Sequence, residues 1–125
     1  MPIWTFLDFV ESDGSSPVAD WLNALGSARA AIDQRILVQS AVRTWNDKWI
    51  KKYKSSDGIY ELRISWNRVE YRLLGTYRPG YEFVLLEGAI EKDWRLPTGS
   101  ITRAERRRET LLRNPSRVRR HQFTS

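Results

Sequence analysis

Arg63, Arg72 and Lys92 are cations set where a strand pattern could gather them, and such a group is suited to handling phosphate. Residues 59–66 alternate in the manner of a strand, with Tyr60, Leu62, Ile64 and Trp66 on one face and Glu61, Arg63 and Ser65 on the other. Residues 69–78 alternate likewise, Val69, Tyr71 and Leu73 against Glu70, Arg72 and Leu74. A two-residue turn at Asn67-Arg68 sets Arg63 opposite Arg72, and one at Pro79-Gly80 sets Arg72 opposite Glu87. Directly opposed residues share a face, so Arg63, Arg72 and Glu87 are expected in one row. Like charges opposed across a ladder destabilise it, and a visiting anion relieves the penalty. Guanidinium groups suit that guest because they bind phosphate through two parallel bonds and keep their charge at neutral pH. The plainer reading of the row is a salt-bridge ladder with Glu61 and Glu87, worth little at a surface.

Other constellations are missing. His121 is the single histidine and there is no cysteine, so a thiolate site is excluded and a Ser/His/Asp set around His121 is not expected. No Gly-rich phosphate loop and no HExxH occurs, and neither metal nor cofactor is expected. An enzyme built from this chain would work with Arg and Lys around a phosphate, neutralising charge that develops in the transition state. Lys51, Lys52 and Lys54 form a further basic cluster, which as a solvated loop would do nothing. Trp94, between Lys92 and Arg95, could stack on a base, plug a partner or receive the last helix. Trp4, Trp21, Trp45 and Trp66 fall on faces expected to be buried.

The formal net charge of +6 is unevenly placed. Residues 103–120 hold eight Arg (103, 106, 107, 108, 113, 117, 119 and 120) against Glu105 and Glu109, while residues 1–102 balance 13 basic with 13 acidic groups. Such a block attracts phosphate backbones or an acidic protein. At 125 residues, with 41% hydrophobic composition and 12% aromatic residues, the chain can bury a core as one domain. The longest apolar run, Phe83-Val84-Leu85-Leu86, is far short of a membrane span, and residues 1–10 show neither a basic leader nor a cleavage site. A cytoplasmic protein is expected.

Helices and strands can be read from hydrophobic period and from the turn-forming residues between them. Residues 3–9 read as a first strand. Ser16-Pro17 opens a helix carrying Val18, Trp21, Leu22 and Leu25, which Gly26 can close. Ser27 can cap a second helix running to about Thr44, with Ala31, Val38, Val42 and Trp45 in one buried stripe and Ile32 and Ile36 beside it. Residues 48–57 read as a polar connection. Three strands follow as a meander, the third (81–90) apolar on both faces as a central strand is. A last helix spans about 100–113, with capping-box spacing at Thr102 and Glu105 and a thin apolar stripe of Ile101, Ala104, Leu111 and Leu112 that predicts weak docking. Pro115 ends it, and residues 116–125 are expected to lack fixed structure in isolation. The order is β-α-α-β-β-β-α, an α+β domain over 1–113 with a basic tail over 114–125.

Gly58-Ile59-Tyr60-Glu61-Leu62-Arg63-Ile64, followed by Glu70-Tyr71-Arg72-Leu73-Leu74, resembles the phage-derived HigB-like branch of the RelE/ParE toxin superfamily, whose pattern there is roughly G-[LI]-[YFW]-E-L-R and then Y-R-[IL]. Val18-Ala19-Asp20-Trp21-Leu22, the helix around 29–35, and the run from Leu86-Glu87-Gly88 through Lys92 and Pro97 to Ile101 and Ala104 are similar as well, so the likeness covers about 1–112. Ala89, Glu91 and Ser100 stand where the family pattern has Phe, Lys and Glu. The resemblance implies a RelE-like fold, a curved antiparallel sheet packed on two N-terminal helices with a C-terminal basic helix. It also implies the toxin of a type II toxin–antitoxin pair. Such a toxin is a metal-independent endoribonuclease that cleaves mRNA on the ribosome and is restrained by a cognate antitoxin protein, with no membrane and no small-molecule cofactor involved. By motif position Arg63, Arg72 and Lys92 inherit the catalytic roles. Lys52, Lys54, Arg78, Trp94, Arg95, Arg106 and Arg107 are the candidates for holding RNA. The alternative is a module of the same fold that binds RNA or an acidic protein without cleaving.

Overall fold

The computed structural model describes residues 2–123; Met1, Thr124 and Ser125, which close the two terminal readings made above, lie outside the described residues. The chain forms β1 (Thr5–Phe9), α1 (Pro17–Asn23), α2 (Ala28–Ser40), β2 (Ile50–Lys52), β3 (Tyr60–Trp66), β4 (Val69–Arg78), β5 (Glu82–Glu91), α3 (Ser100–Arg113) and β6 (Val118–Arg120). The expected meander is therefore present. Two short strands join it, β2 inside the segment read as a polar connection and β6 inside the tail read as unstructured. The six strands lie in the order β2-β3-β4-β5-β1-β6. β1 runs parallel to β5, so the sheet is mixed rather than antiparallel throughout. The class is α+β.

Both faces of this sheet are covered. On one, Phe6, Leu62, Ile64, Tyr71, Leu73, Phe83 and Leu85 pack with Val18 and Leu22 of α1 and Ala28, Ile32 and Ile36 of α2. Trp4, Trp21, Trp45 and Trp66 border this core, partly buried rather than enclosed. The buried stripe of α2 is Ala28, Ile32 and Ile36, a four-residue repeat. Val38 and Val42, expected inside, are 50% and 41% exposed, because Val38 lies on the side of α2 away from the Ala28/Ile32/Ile36 row and Val42 lies beyond the helix end at Ser40. Ser16 caps α1 as its sequence suggests, its hydroxyl accepting from the Ala19 amide at 3.3 Å. Ser27 makes no such bond.

On the other face Leu7, Phe9, Ile59, Leu74, Val84 and Leu86 pack against Ala104 and Leu111 of α3. The last helix thus docks firmly, contrary to the expectation from its thin stripe. Two buried apolar contacts suffice because Arg107, only 9% exposed, reaches the β5 backbone beside them. Thr102 lies within the helix and Gly99 holds the N-cap, so the capping-box spacing goes unused.

Strand register decides where the charged residues land. Asn67 and Arg68 adopt φ of 51° and 65°, making the tight turn that sets Arg63 opposite Arg72 as expected. The second hairpin departs from expectation. Tyr81 joins Pro79-Gly80 in the loop with φ of 59°, and the register shifts again between Leu74 and Gly75. Glu87 therefore faces Leu74, and Arg72 faces Ala89. Leu86 and Glu87 together oppose Leu74, the arrangement of a β-bulge, which turns both toward α3. Beyond it Gly88 lies against the Trp21 ring of α1, where a Cβ would have no room.

The C-terminal segment is also fixed. β6 pairs antiparallel with β1 and covers what would be an open edge. Arg117 donates to the Val10 carbonyl at 3.1 Å and the His121 amide to the Phe6 carbonyl at 3.0 Å.

Candidate functional site

Arg63 and Arg72 sit side by side on the α3 face of the sheet, where the alternation of β3 and β4 places them. Their environments differ. The Arg72 side chain is 6% exposed, with Nε 3.2 Å from Glu61, Nη1 3.3 Å from Glu70 and Nη2 3.2 Å from Glu91. Glu70 and Glu91 are themselves directly opposed between β4 and β5, and the Arg72 guanidinium lies between them. Two arginines thus meet three carboxylates, and the penalty expected of a bare Arg pair is removed from within the chain. Glu70 is held below the usual carboxylate range, first by the Ser65 hydroxyl donating to it at 2.5 Å and then by the Arg72 charge, against the opposing effect of burial.

Arg63 pairs with Glu61 at 3.1 Å and keeps 38% of its side chain exposed. It borders two clefts. One, of about 290 Å³, is lined by Lys51, Lys52, Tyr53, Lys54, Ser55 and Glu61. The second, of about 420 Å³, runs from Tyr53, Glu61 and Arg63 past Glu91 to Trp94, Arg95 and Pro97. Tyr53, Glu61 and Arg63 line both, so the lysine cluster and the Trp94-Arg95 turn are brought to opposite sides of one guanidinium. Lys51 pairs with Glu61 in the ladder and so shares the face of Arg63, whereas Lys52 pairs with Tyr60 and reaches the cleft from its rim.

The remaining candidates are dispersed. Lys92 is exposed and lines a larger cleft of about 770 Å³ with Arg95, Ser100, Arg103 and Trp21, on the other side of the 92–98 segment. Trp94 is 92% exposed, so α3 does not dock on it. Arg78 pairs with Glu82 and donates to the Pro115 carbonyl at 2.8 Å, at the far end of β4 from Arg63. Arg107 is committed to Glu87 at 2.6 Å, to the Leu86 carbonyl at 2.9 Å and to Glu11 at 3.4 Å. Arg106 is exposed and borders a separate concavity with Asp57, Glu105 and Glu109. Of the eight C-terminal arginines, Arg103, Arg107, Arg108 and Arg117 bond within the fold. The charge block is as much a clamp as a free basic surface.

Sequence reasoning named Lys51 within the basic cluster and Glu61 as a ladder partner, but passed over Tyr53, Glu70 and Glu91 as site residues, and His121 as part of the fold. Glu61 and Glu70 had a signal, the alternation that puts them on the arginine face. Tyr53 and His121 had none, since each is placed by a short strand that the local pattern does not announce. The imidazole of His121 lies between Asp8 of β1 and Asp33 of α2, 2.8 Å from each. Burial alone would depress its pKa, but hydrogen bonds to Asp33 and Asp8 and their charges outweigh that and raise it to about 9. Among the described residues no cluster of His, Asp or Glu side chains is arranged to hold a metal ion, and no helix is long and apolar enough to cross a membrane.

Compared with family profiles, curated proteins and solved structures, the chain finds no match.

Proposed function

We propose that this protein is a RelE-like toxin of a type II toxin–antitoxin pair, acting in the cytoplasm as a ribosome-dependent, metal-independent mRNA endonuclease held in check by a cognate antitoxin. The observation that carries the reading is the position of Arg63, half-exposed between a three-lysine cleft and the Trp94-Arg95 turn. That surface suits a single RNA strand, with phosphates drawn to the lysines and one of them resting on Arg63. In the proposed reaction a ribose 2′-hydroxyl gives up its proton as its oxygen bonds to the neighbouring phosphorus, the phosphorus bond to the 5′-oxygen breaks, and that oxygen leaves with a proton, so that a 2′,3′-cyclic phosphate forms with no net change in protons. Arg63 neutralises the charge building on the phosphate oxygens. Arg72, enclosed by Glu61, Glu70 and Glu91, acts as the strut that holds the row together rather than as a second phosphate ligand.

The test is expression in a bacterium with and without the neighbouring gene. Growth arrest and cleavage of mRNA in the ribosomal A site are expected for the chain alone, with Arg63→Ala relieving both. Unimpaired growth together with intact A-site mRNA would refute the toxin. The enclosure of Arg72 favours a second reading, a module of the same fold that binds RNA without cutting it. That reading is supported if Arg63→Ala and the parent chain bind RNA with similar affinity and neither cleaves.

A further inference from the structure

We infer that the turn at residues 92–95 is a stacking platform for one unpaired base of a single-stranded nucleic acid, with Trp94 as the ring. The inference rests on the RNA reading above and names what that site grips. Lys92 and Arg95 exchange two backbone hydrogen bonds of 2.9 Å, closing a two-residue turn around Asp93 and Trp94. Both central residues take positive φ, 51° and 64°. Such turns favour Asn-Gly, and a left-handed conformation is costly for a side chain as large as Trp. Burial does not compensate, because the indole is 92% exposed. Nor does another ring, since Trp94 makes no aromatic contact among the described residues. Strain kept without a packing return is characteristic of binding sites.

The surroundings indicate which ligand. Trp94 stands among the exposed charged residues Lys92, Asp93 and Arg95, and the two cations beside the ring suit a ligand that carries phosphate. Beside it opens the cleft of about 420 Å³ whose far wall is Tyr53 and Arg63. A base laid on the indole puts its own phosphate within reach of Arg95, and the next phosphate can lie toward Arg63. Aromatic stacking accepts any base, so the platform adds grip on single strands without sequence preference.

The test is fluorescence anisotropy of the full chain with short labelled single-stranded oligoribonucleotides, including a series with one base removed at each position. Trp94→Ala is expected to weaken binding about 5- to 150-fold, the span of base stacking on an aromatic ring. Trp94→Tyr restores most of it. An abasic position should cost the parent chain affinity and cost the Ala variant nothing, and the salt dependence should be unchanged because no charge is removed. Equal affinity of parent and Ala variant, or equal abasic penalties in both, overturns the platform while leaving RNA binding in place, and would assign Trp94 to a protein contact. No salt-sensitive affinity of the parent chain for any oligonucleotide overturns the RNA reading and the platform together.

Discussion

His121 offers a perturbation whose magnitude follows from its surroundings. It is the single histidine and the chain has no cysteine, so no other side chain of ordinary pKa titrates between pH 6.5 and 9. Folding raises its pKa from 6.5 to about 9 through Asp33 and Asp8, which more than offset burial. The folded state therefore holds the proton more tightly than the unfolded chain. Stability from this clasp is complete below pH 6.5, falls as pH rises through the window, and is spent above about 9. The interval corresponds to about 3 kcal/mol at 1.36 kcal/mol per unit, for an imidazole with 1% side-chain exposure. For a domain of this length that is roughly 10 °C in Tm. Urea unfolding or thermal melts at half-unit steps from pH 6 to pH 9 would display the slope. His121→Gln should flatten it and lower stability at pH 6, because the charged clasp between β1 and α2 is lost, Asp33 keeping its pair with Arg29 at 3.2 Å. A parent profile already flat, or an unchanged slope in the variant, would refute the clasp.

Truncation after Asn114 would be harmless if the tail were a solvated extension; removing β6 and His121 should instead cost at least those 3 kcal/mol near pH 6, measured by urea midpoint. Arg72→Ala leaves Glu61, Glu70 and Glu91 facing each other and should destabilise by about 3–5 kcal/mol, read by the same assay. Loss of activity in that variant would therefore carry no information on catalysis. Glu91→Gln removes one of the three carboxylates and should raise affinity for a short oligoribonucleotide about fivefold, the effect of a charge worth on the order of 1 kcal/mol, in an anisotropy titration. Trp94→Gly relieves a positive φ at an exposed position and should leave Tm equal or slightly higher while RNA binding falls.

Much of the fold was legible because it rests on short-range pattern. The Pro17 helix start, the alternation of β3 and β4, and the apolar centre of β5 each follow from a few neighbouring residues. What escaped depends on pairing at long range. β6 is three residues with two exposed arginines, and only the open edge of β1 makes a strand of it. α3 looked weakly amphipathic because side-chain hydrophobicity takes no account of an arginine such as Arg107, which buries its stem while its head reaches a strand carbonyl. The stripe of α2 was misplaced because the buried row is Ala28, Ile32 and Ile36, which leaves Val38 on the side away from it, and because the helix ends four residues early, at Ser40, so that Val42 falls outside the helical frame.

At the site, the sequence carried the first hairpin and failed on the second for one physical reason. Asn67-Arg68 closes as a two-residue turn, so counting outward from it finds Arg63 against Arg72. From Pro79-Gly80 the same counting meets an extra loop residue, Tyr81, and then the bulge at Leu86-Glu87, and each shifts the partner of Arg72 by one. The two shifts together return the pairing to the same face, which is why the face was right while the neighbour was wrong. Their consequence is chemical. In the expected register Arg72 would meet Glu87; in the actual one Glu87 is delivered to Arg103 and Arg107 of α3, and Glu91 takes its place at Arg72. Glu91 is thus the carboxylate that completes the Arg72 cage. The same bulge that recruits α3 decides which arginine remains open to a ligand, and that arginine is Arg63.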